Sequence, residues 1–321
     1  MEIAIIEVPT LKADESGFKR LISIVNQVYP HPYKYFEFDF SHCSRLDQHA
    51  VATLGMLAKY IDFHNKRTKS GIARAIIQRA SITFRVGTMT DPVREKLISN
   101  NFLSHFFTKE GFAGYPKGSY IGYREHGYYL DENEIVGHLR GDWLTDEKLK
   151  INSDLKNTIV SHIFEIFMNA YGHGKKNGFS HGAMSCGRYD KKEGKLSLSV
   201  VDFGHGVCES VRRFQKEPDL SDSEALIWAL KRGNSTKTDS QGLDIPRGLG
   251  FGLLSDFVGI NQGKIEIYTN SAHAIANARN EYVVSKKGQS LNGTIVDIEI
   301  NCDGKKYSFF DESKTDLTAY F

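Results

Sequence analysis

The sequence predicts two folded parts, an α/β domain at the N-terminus and a second domain that begins near residue 150. At 321 residues the chain exceeds the length that one hydrophobic core normally supports, so we expect two domains. Strand-like runs alternate with helical periods over residues 1–106, which is typical of an α/β domain. Residues 107–131 form a Gly- and Tyr-rich stretch without helical period, and residues 132–145 are predicted to form a short helix that leads into the second domain. We therefore assign residues 107–149 to a connecting segment and residues 150–321 to the second domain.

Local periodicity predicts the elements of the N-terminal domain. Apolar residues at three- and four-residue spacing indicate helices, and Asp47 is placed to cap the second of them. Proline at the start of the third helix suits the first helical turn. The predicted strands are residues 2–8, 34–40 and 74–86, and the predicted helices are residues 17–28, a segment that begins after Asp47, and residues 91–105.

Composition narrows the class of protein. Hydrophobic residues make up 40% of the chain, which excludes a disordered or fibrous protein. The formal charge is +2, with 41 basic and 39 acidic residues, so neither nucleic acid nor a membrane is indicated as a partner. The four cysteines form no CxxC pair, which argues against a zinc site, and no leader or membrane-spanning run is apparent. We therefore expect a cytoplasmic protein.

The first chemical signal lies on a predicted helix over residues 154–171. This segment is apolar around most of its circumference, which indicates a buried helix. Glu165 and Asn169 are four residues apart and so lie on one face, with His173 one turn further along. Such a pair also occurs at an ordinary helix edge, so the spacing alone does not decide a function.

The second signal follows a predicted strand over residues 196–201. Asp202, Gly204 and Gly206 form a DxGxG turn, in which the carboxylate could accept a hydrogen bond from an exocyclic amine. Asp and Gly are also common in ordinary turns. Although residues 202–204 read Asp-Phe-Gly, the chain lacks the glycine-rich loop, the VAIK-like lysine and the HRD-like loop of a protein kinase.

The third signal is a GxGxG run formed by Gly248, Gly250 and Gly252, which leads into an apolar helix over residues 254–260. Glycines at a helix N-terminus let backbone amides approach phosphate oxygens. The spacing is not the GxGxxG of dinucleotide-binding folds, and no strand directly precedes it. A Rossmann fold is therefore not predicted.

The order and spacing of the three signals resemble the GHKL ATPase superfamily of gyrase, chaperone, histidine-kinase and MutL type. The resemblance covers roughly residues 150–302, including Gly263–Ile267 and the Gly293-Thr294 strand. The segment Arg232-Gly233-x-Ser235-Thr236-Lys237 is similar to the lid of the anti-sigma serine-kinase branch. Ser221 and Glu224 ahead of it predict a capping box. The resemblance implies an α+β two-layer sandwich that binds ATP with Mg²⁺.

The resemblance also implies a role for each matched residue. Glu165 would act as the base for the attacking group, and Lys237 would reach a terminal phosphate. Asn169 would be the Mg²⁺ ligand, and Asp202 would accept the adenine amino group. The remaining binding residues are Gly204 and Gly206 for the base pocket, Gly248, Gly250 and Gly252 for phosphate, Thr294 at the adenine end, and His173, where the family often has a histidine.

The N-terminal domain resembles the STAS domain of anti-sigma-factor antagonists. The similarity lies in the strand Phe36–Phe40 and in Leu46–Ala50 with the helix that follows. Those antagonists carry a phosphorylatable serine after the aspartate, whereas this chain has Gln48, which argues against a phosphoryl switch there. His49 is interpreted as a packed histidine. The resemblance implies a domain that docks a protein partner.

These observations lead to a main hypothesis and two alternatives. The main hypothesis is an ATP-driven switch that hydrolyses ATP or phosphorylates a serine or threonine of a protein partner. A non-catalytic module that binds ATP or ADP is the first alternative. A sensor histidine kinase is the second, although no dimerising two-helix segment with a phosphoacceptor histidine precedes the ATPase-like part. A homodimer is compatible with each hypothesis.

Overall fold

The computed structural model describes residues 3–32, 34–68, 82–107, 112, 120–173, 182–234, 236, 250–276, 281–309 and 319–320. Within these ranges the protein is a mixed α/β structure with three sheets and eight α-helices. None of the described helices combines the length and the apolar character that crossing a membrane requires.

The N-terminal half, residues 3–107, is built around a parallel sheet with the strand order β1-β2-β3. Asp14 caps the first helix, because its side chain accepts a hydrogen bond from the Gly17 amide at 2.8 Å. The elements in chain order are β1 (Ile3–Glu7), α1 (Glu15–Val28), β2 (Tyr35–Asp39), α2 (Gln48–Thr68), β3 (Ile82–Phe84) and α3 (Asp91–Ser99).

Asp47 directly precedes α2, as predicted, and its carbonyl oxygen accepts from the Val51 amide at 3.2 Å, but its side chain does not cap the helix. Its carboxylate instead accepts hydrogen bonds from the Ala13 amide at 3.0 Å, from Arg45 Nε at 2.9 Å and from Lys96 Nζ at 3.3 Å. These partners hold the pKa of Asp47 at about 2 despite its burial. A neighbouring cation, Arg45, and a distant one, Lys96, thus take the carboxylate acceptors that a side-chain cap would use.

The C-terminal half contains a five-stranded sheet with the order β4-β6-β7-β9-β8, in which all neighbours are antiparallel. A separate three-stranded sheet has the order β11-β10-β5. The elements are β4 (Tyr120–Glu125), α4 (Glu132–His138), β5 (Lys150–Ile151), α5 (Ser153–His173), β6 (Met184–Asp190), β7 (Lys195–Asp202), α6 (Gly206–Gln215), α7 (Asp222–Leu230), α8 (Gly250–Ile260), β8 (Lys264–Ala276), β9 (Tyr282–Asn301), β10 (Lys306–Ser308) and β11 (Ala319–Tyr320).

The five-stranded sheet is buried on both faces. On one face Leu198 and Val200 of β7 belong to a core shared with α5 and α8. On the other face Val201 and Phe203 belong to the core of the N-terminal half. Successive residues of a strand point to opposite faces, so one strand supplies both cores. The sheet therefore forms the middle of three layers, with the N-terminal half covering the face opposite the helices.

The segment assigned to the connection, residues 107–149, contributes more than a linker. It contains β4, which forms the edge of the five-stranded sheet by pairing with β6, and it contains α4. Ile121 and Tyr123 of β4 are buried, and Trp143 donates its indole N–H to the Ser197 carbonyl at 3.1 Å. The strand β4 depends on pairing with β6, about sixty residues later in the chain. Local periodicity in the sequence does not show such pairing.

Candidate nucleotide-binding site

A narrow cleft between the five-stranded sheet and helices α5 and α8 brings four of the predicted site residues together. Asn169, Asp202, Gly206 and Thr294 all line it. An apolar wall surrounds these groups, and sequence patterns alone did not single out its members, which are Ile166, Val200, Val207, Phe251 and Val296. The combination of few polar groups and an apolar lining is typical of a ligand site.

Asp202 and Thr294 lie opposite each other on neighbouring strands, at the ends of their paired stretch. Both are buried. Burial raises the pKa of Asp202 to about 7, and the nearby Thr294 hydroxyl offsets only part of that rise. The cleft thus contains a nearly dehydrated carboxyl group beside a hydroxyl group.

Thr269 on β8 organises the floor of the site, although the sequence analysis did not identify it. Its hydroxyl donates to the Gly293 carbonyl at 3.0 Å and accepts from the Val207 amide at 2.8 Å. Thr269 is paired with Thr294 in the sheet. A threonine in a strand carries no signal of this role, because the contact depends on the strand register.

Gly293 is required for the close approach of two strands at the site. Its φ of 138° lies in a region that favours glycine, and an added Cβ would lie 2.1 Å from the Asp202 carbonyl oxygen. A side chain at this position would therefore displace the backbone that carries Asp202.

Glu165 and Asn169 lie one turn apart on α5, as their spacing predicted. Asn169 lines the cleft, whereas Glu165 is not among the lining residues and its side chain is 25% exposed. Nδ1 of His162 lies 3.9 Å from the Glu165 carboxylate, longer than a hydrogen bond. Because burial lowers the pKa of His162, the imidazole is neutral at pH 7 and does not form a charged pair with Glu165.

The turn after Asp202 is held in place by β8. Gly206 has a φ of 75° and begins α6. The Asn270 side chain accepts from the Cys208 amide at 3.1 Å and donates to the His205 carbonyl at 2.9 Å. Gly204 is buried in this turn but does not line the cleft. Of the two glycines that the resemblance assigns to the base pocket, Gly206 lines the cleft and Gly204 does not.

The third glycine run is only partly within the described residues. Gly250 and Gly252 form the first turn of α8, not a loop before the helix. Gly252 faces a separate cavity, where an added Cβ would lie 3.0 Å from Arg232 Cγ. Gly248 and Lys237 lie outside the described residues, and His173 is at the end of α5, where its side chain is not described.

The predicted capping box at the start of α7 is confirmed. The Ser221 hydroxyl accepts from the Glu224 amide at 3.3 Å, and the Glu224 carboxylate accepts from the Ser221 amide at 3.0 Å. Beyond α7, Arg232 forms an ion pair with Asp256 of α8. This ion pair connects the lid predicted over residues 207–247 to the helix at the third glycine run.

The residues fit a nucleotide and a magnesium ion chemically, but the cleft is tight. Its cavity volume is about 20 Å³, enough for roughly one water molecule. A purine therefore enters only when side chains of the apolar wall, such as Phe251, move. The described residues hold no group of three or more His, Cys, Asp or Glu placed to bind a metal. Among the residues that line the cleft, Asn169 offers an amide oxygen, a kind of ligand that Mg²⁺ accepts.

No protein-family model matches the chain, and no curated protein matches it.

Proposed function

We propose that the protein binds Mg·ATP in the cleft between β7, β9 and α5 and acts as a GHKL-type switch on a protein partner. The observation that carries the proposal is the buried Asp202 carboxyl group, which shares one cleft with the Asn169 carboxamide. A dehydrated carboxyl group in a cleft of low polarity is costly for a fold and is common where a ligand group completes its hydrogen bonding.

The adenine end of the nucleotide is proposed to lie against Asp202 and Thr294. An exocyclic amine would donate to the Asp202 carboxyl group, and the Thr294 hydroxyl would remain within reach of the same group. The apolar residues Val200, Val296 and Phe251 would pack against the faces of the base. Guanine presents a carbonyl oxygen at the corresponding position, so the site should discriminate against GTP.

The phosphates are proposed to extend toward Asn169 and the first turn of α8. The first amides of a helix have no partner within the helix, so those at Gly250 and Gly252 suit phosphate oxygens. Asn169 would hold Mg²⁺ through its amide oxygen. When bound, Mg²⁺ would neutralise negative charge on the phosphate oxygens.

Glu165 is proposed to act on the attacking group. A water molecule or a partner's serine or threonine hydroxyl would attack the γ-phosphorus while the bond to the β–γ bridging oxygen breaks and ADP leaves. The Glu165 carboxylate would accept the proton of the attacking oxygen. Its position one turn before Asn169 and its partial exposure suit contact with a group that enters from solvent.

The N-terminal half is proposed to report the nucleotide state to a protein partner. Phe203 directly follows Asp202 but packs on the opposite face of the sheet, where its ring meets those of Tyr29 and Tyr60 at centroid distances of 5.8 Å and 6.2 Å. A shift of the Asp202 backbone on binding would therefore be transmitted to this aromatic group.

Titration calorimetry with Mg·ATP and Mg·GTP tests the proposal most directly. We expect heat of binding with Mg·ATP and much weaker binding with Mg·GTP. Incubation with γ-labelled ATP would then separate released phosphate from labelled protein and so distinguish hydrolysis, phosphoryl transfer and binding without turnover. Absence of Mg·ATP binding to the folded protein would refute the proposal.

A further inference from the structure

A second cavity, of about 270 Å³, lies between α1 of the N-terminal half and the β8–β9 hairpin of the C-terminal half. It shares no lining residue with the cleft at Asp202. Its size is just below the range of roughly 300–1,000 Å³ for drug-sized ligand sites, so it suits a small ligand. The lining residues are Glu15, Lys19, Ile22, Tyr268, Lys286, Lys287, Gly288 and Gln289.

An irregularity in strand pairing forms one wall of this cavity. From Asn270 to Ala272, β8 advances two residues, whereas the paired positions on β9 move from Leu291 to Lys286. The extra residues on β9 interrupt the alternation of side chains, so Lys286 through Gln289 line the cavity consecutively. Bulges of this kind commonly redirect side chains beside functional sites.

Two buried polar atoms at the cavity have no hydrogen-bond partner among the described residues. One is the hydroxyl of Tyr268, a residue that is 3% exposed, and the other is Oε1 of Gln289. The Tyr268 ring is held between Phe18 and His273, with a centroid distance of 4.2 Å to each. The ring is therefore fixed at the cavity wall, and a bound group that reaches the buried hydroxyl could satisfy it.

The charged side chains that line the cavity are mainly positive, and the carboxylates of Glu266, Asp297 and Asp14 lie behind the lining, near Tyr268. Three lysines line it against one carboxylate, Glu15, and that carboxylate is paired with Lys287 at 2.7 Å. No carboxylate among the described residues lies within ion-pair distance of Lys19 or Lys286. Two ammonium groups remain to attract an anion, one from each half of the protein.

We propose that this cavity binds a small phosphate-bearing ligand, which is held by Lys19, Lys286 and the Tyr268 hydroxyl. Phosphate oxygens would accept hydrogen bonds from these three groups, and a hydroxyl group elsewhere on the ligand would donate to Gln289 Oε1. The ligand would connect α1 to the hairpin and so would stabilise the contact between the two halves. This site is independent of the function proposed for the Asp202 cleft.

Calorimetry on the full chain with inorganic phosphate, pyrophosphate and glycerol phosphate tests the proposal. We expect glycerol phosphate to bind more tightly than inorganic phosphate, because it adds a donor for Gln289. The double substitution Lys19→Gln and Lys286→Gln should weaken binding at least tenfold and reduce its salt dependence. Tyr268→Phe keeps the stacked ring and should weaken binding roughly tenfold, as expected for loss of a hydrogen bond to a charged group.

The double substitution Lys191→Gln and Lys192→Gln provides the matched control, since both lysines are exposed in the turn between β6 and β7 and their loss removes the same two charges. It should leave binding unchanged. Thermal unfolding of each variant shows whether its fold is intact. The proposal fails if none of the three probes binds the wild type, which would mean that the cavity holds only water. It also fails if binding persists undiminished in both the lysine and the tyrosine variants, because the site would then lie elsewhere.

Discussion

Gln48 donates a hydrogen bond from Nε2 to Asp297 Oδ1 at 3.3 Å, and this bond joins α2 of the N-terminal half to β9 of the five-stranded sheet. Ser199, the register partner of Asp297 on β7, donates to the same oxygen. All three residues are buried, so this polar cluster lies within the interface between the two halves. Burial raises the pKa of Asp297 to about 7, and the Ser199 hydrogen bond offsets only part of that rise.

The raised pKa of Asp297 predicts a pH-dependent stability. An ordinary aspartate ionises near pH 3.8, so between that pH and about 7 the native state holds a proton that the unfolded chain has released. The contribution of protonated Asp297 to the free energy of unfolding is fully present below about pH 4. This contribution is lost as the pH rises toward 7, by at most about 1.4 kcal/mol per pH unit. Urea denaturation from pH 5 to 8 should show a shallower decline for Asp297→Asn, and parallel profiles for variant and wild type would contradict this.

Mg·ATP should stabilise the fold through Asp202. At a ligand concentration a hundredfold above the dissociation constant, binding to the native state adds about 2.7 kcal/mol. Asp202→Asn should remove most of this shift, because the amide cannot reproduce the carboxylate's acceptors. Asp297→Asn is a matched control: it also removes a buried carboxyl group whose pKa is about 7, but on the opposite face of the sheet. Equal loss of the shift in both variants would mean that the effect is not specific to the cleft.

Glu165 and Asn169 should have separable effects on the proposed reaction. Glu165→Ala should spare Mg·ATP binding and reduce turnover by roughly 10²–10⁴, the usual contribution of a positioned base. Asn169→Ala should remove the magnesium dependence of binding. Asp154→Ala, in the exposed first turn of the same helix, should change neither. Calorimetry measures binding, and phosphate release measures turnover. Equal turnover in wild type and Glu165→Ala would favour the non-catalytic alternative.

Gly293→Ala should damage the cleft through the backbone. The added Cβ would lie 2.1 Å from the Asp202 carbonyl oxygen at a φ of 138°, so the strand ends must separate. We expect a loss of stability of at least about 1 kcal/mol together with loss of the nucleotide-dependent shift. Gly141→Ala is the control, because a Cβ there meets nothing within 4 Å. Differential scanning calorimetry with and without Mg·ATP measures both effects, and unchanged binding by Gly293→Ala would contradict the role given to this contact.

The two halves should respond together when nucleotide binds. Hydrogen exchange should show greater protection of residues 207–234, the described part of the lid predicted over 207–247, with Mg·ATP than with Mg·ADP, and a change in at least one segment of residues 1–106. A ligand shifts the equilibrium between an open and an ordered lid only by its different affinities for these two states. A difference in protection between ATP and ADP would therefore identify the γ-phosphate as the sensor.

Phe203→Leu tests the proposed route of this coupling. The substitution removes the edge-to-face contacts with Tyr29 and Tyr60, so it should reduce the N-terminal response while Mg·ATP still binds. Phe214→Leu, at a residue 41% exposed on α6, should leave the response intact. An unaltered N-terminal half in the wild type, with protection of residues 207–234, would show that the halves are uncoupled.

The sequence by itself determined features that depend on neighbours along the chain. The spacing of Glu165 and Asn169 placed both on one helix face, and the capping box of Ser221 and Glu224 formed as predicted. Both rest on a helical repeat of three to four residues, which any stretch of suitable sequence expresses locally.

Only the tertiary structure decided which distant groups meet. The pairing of Asp202 with Thr294, the hydrogen bonds of Thr269 and the contact of Gln48 with Asp297 all depend on strand register or on packing between layers. A strand's pattern shows that two faces will be buried but not which partners will cover them, because pairing and packing join residues far apart in sequence. For the same reason the contact of Asp47 with Lys96 could not be predicted, since Lys96 is 49 residues away and approaches the carboxylate only when the chain folds.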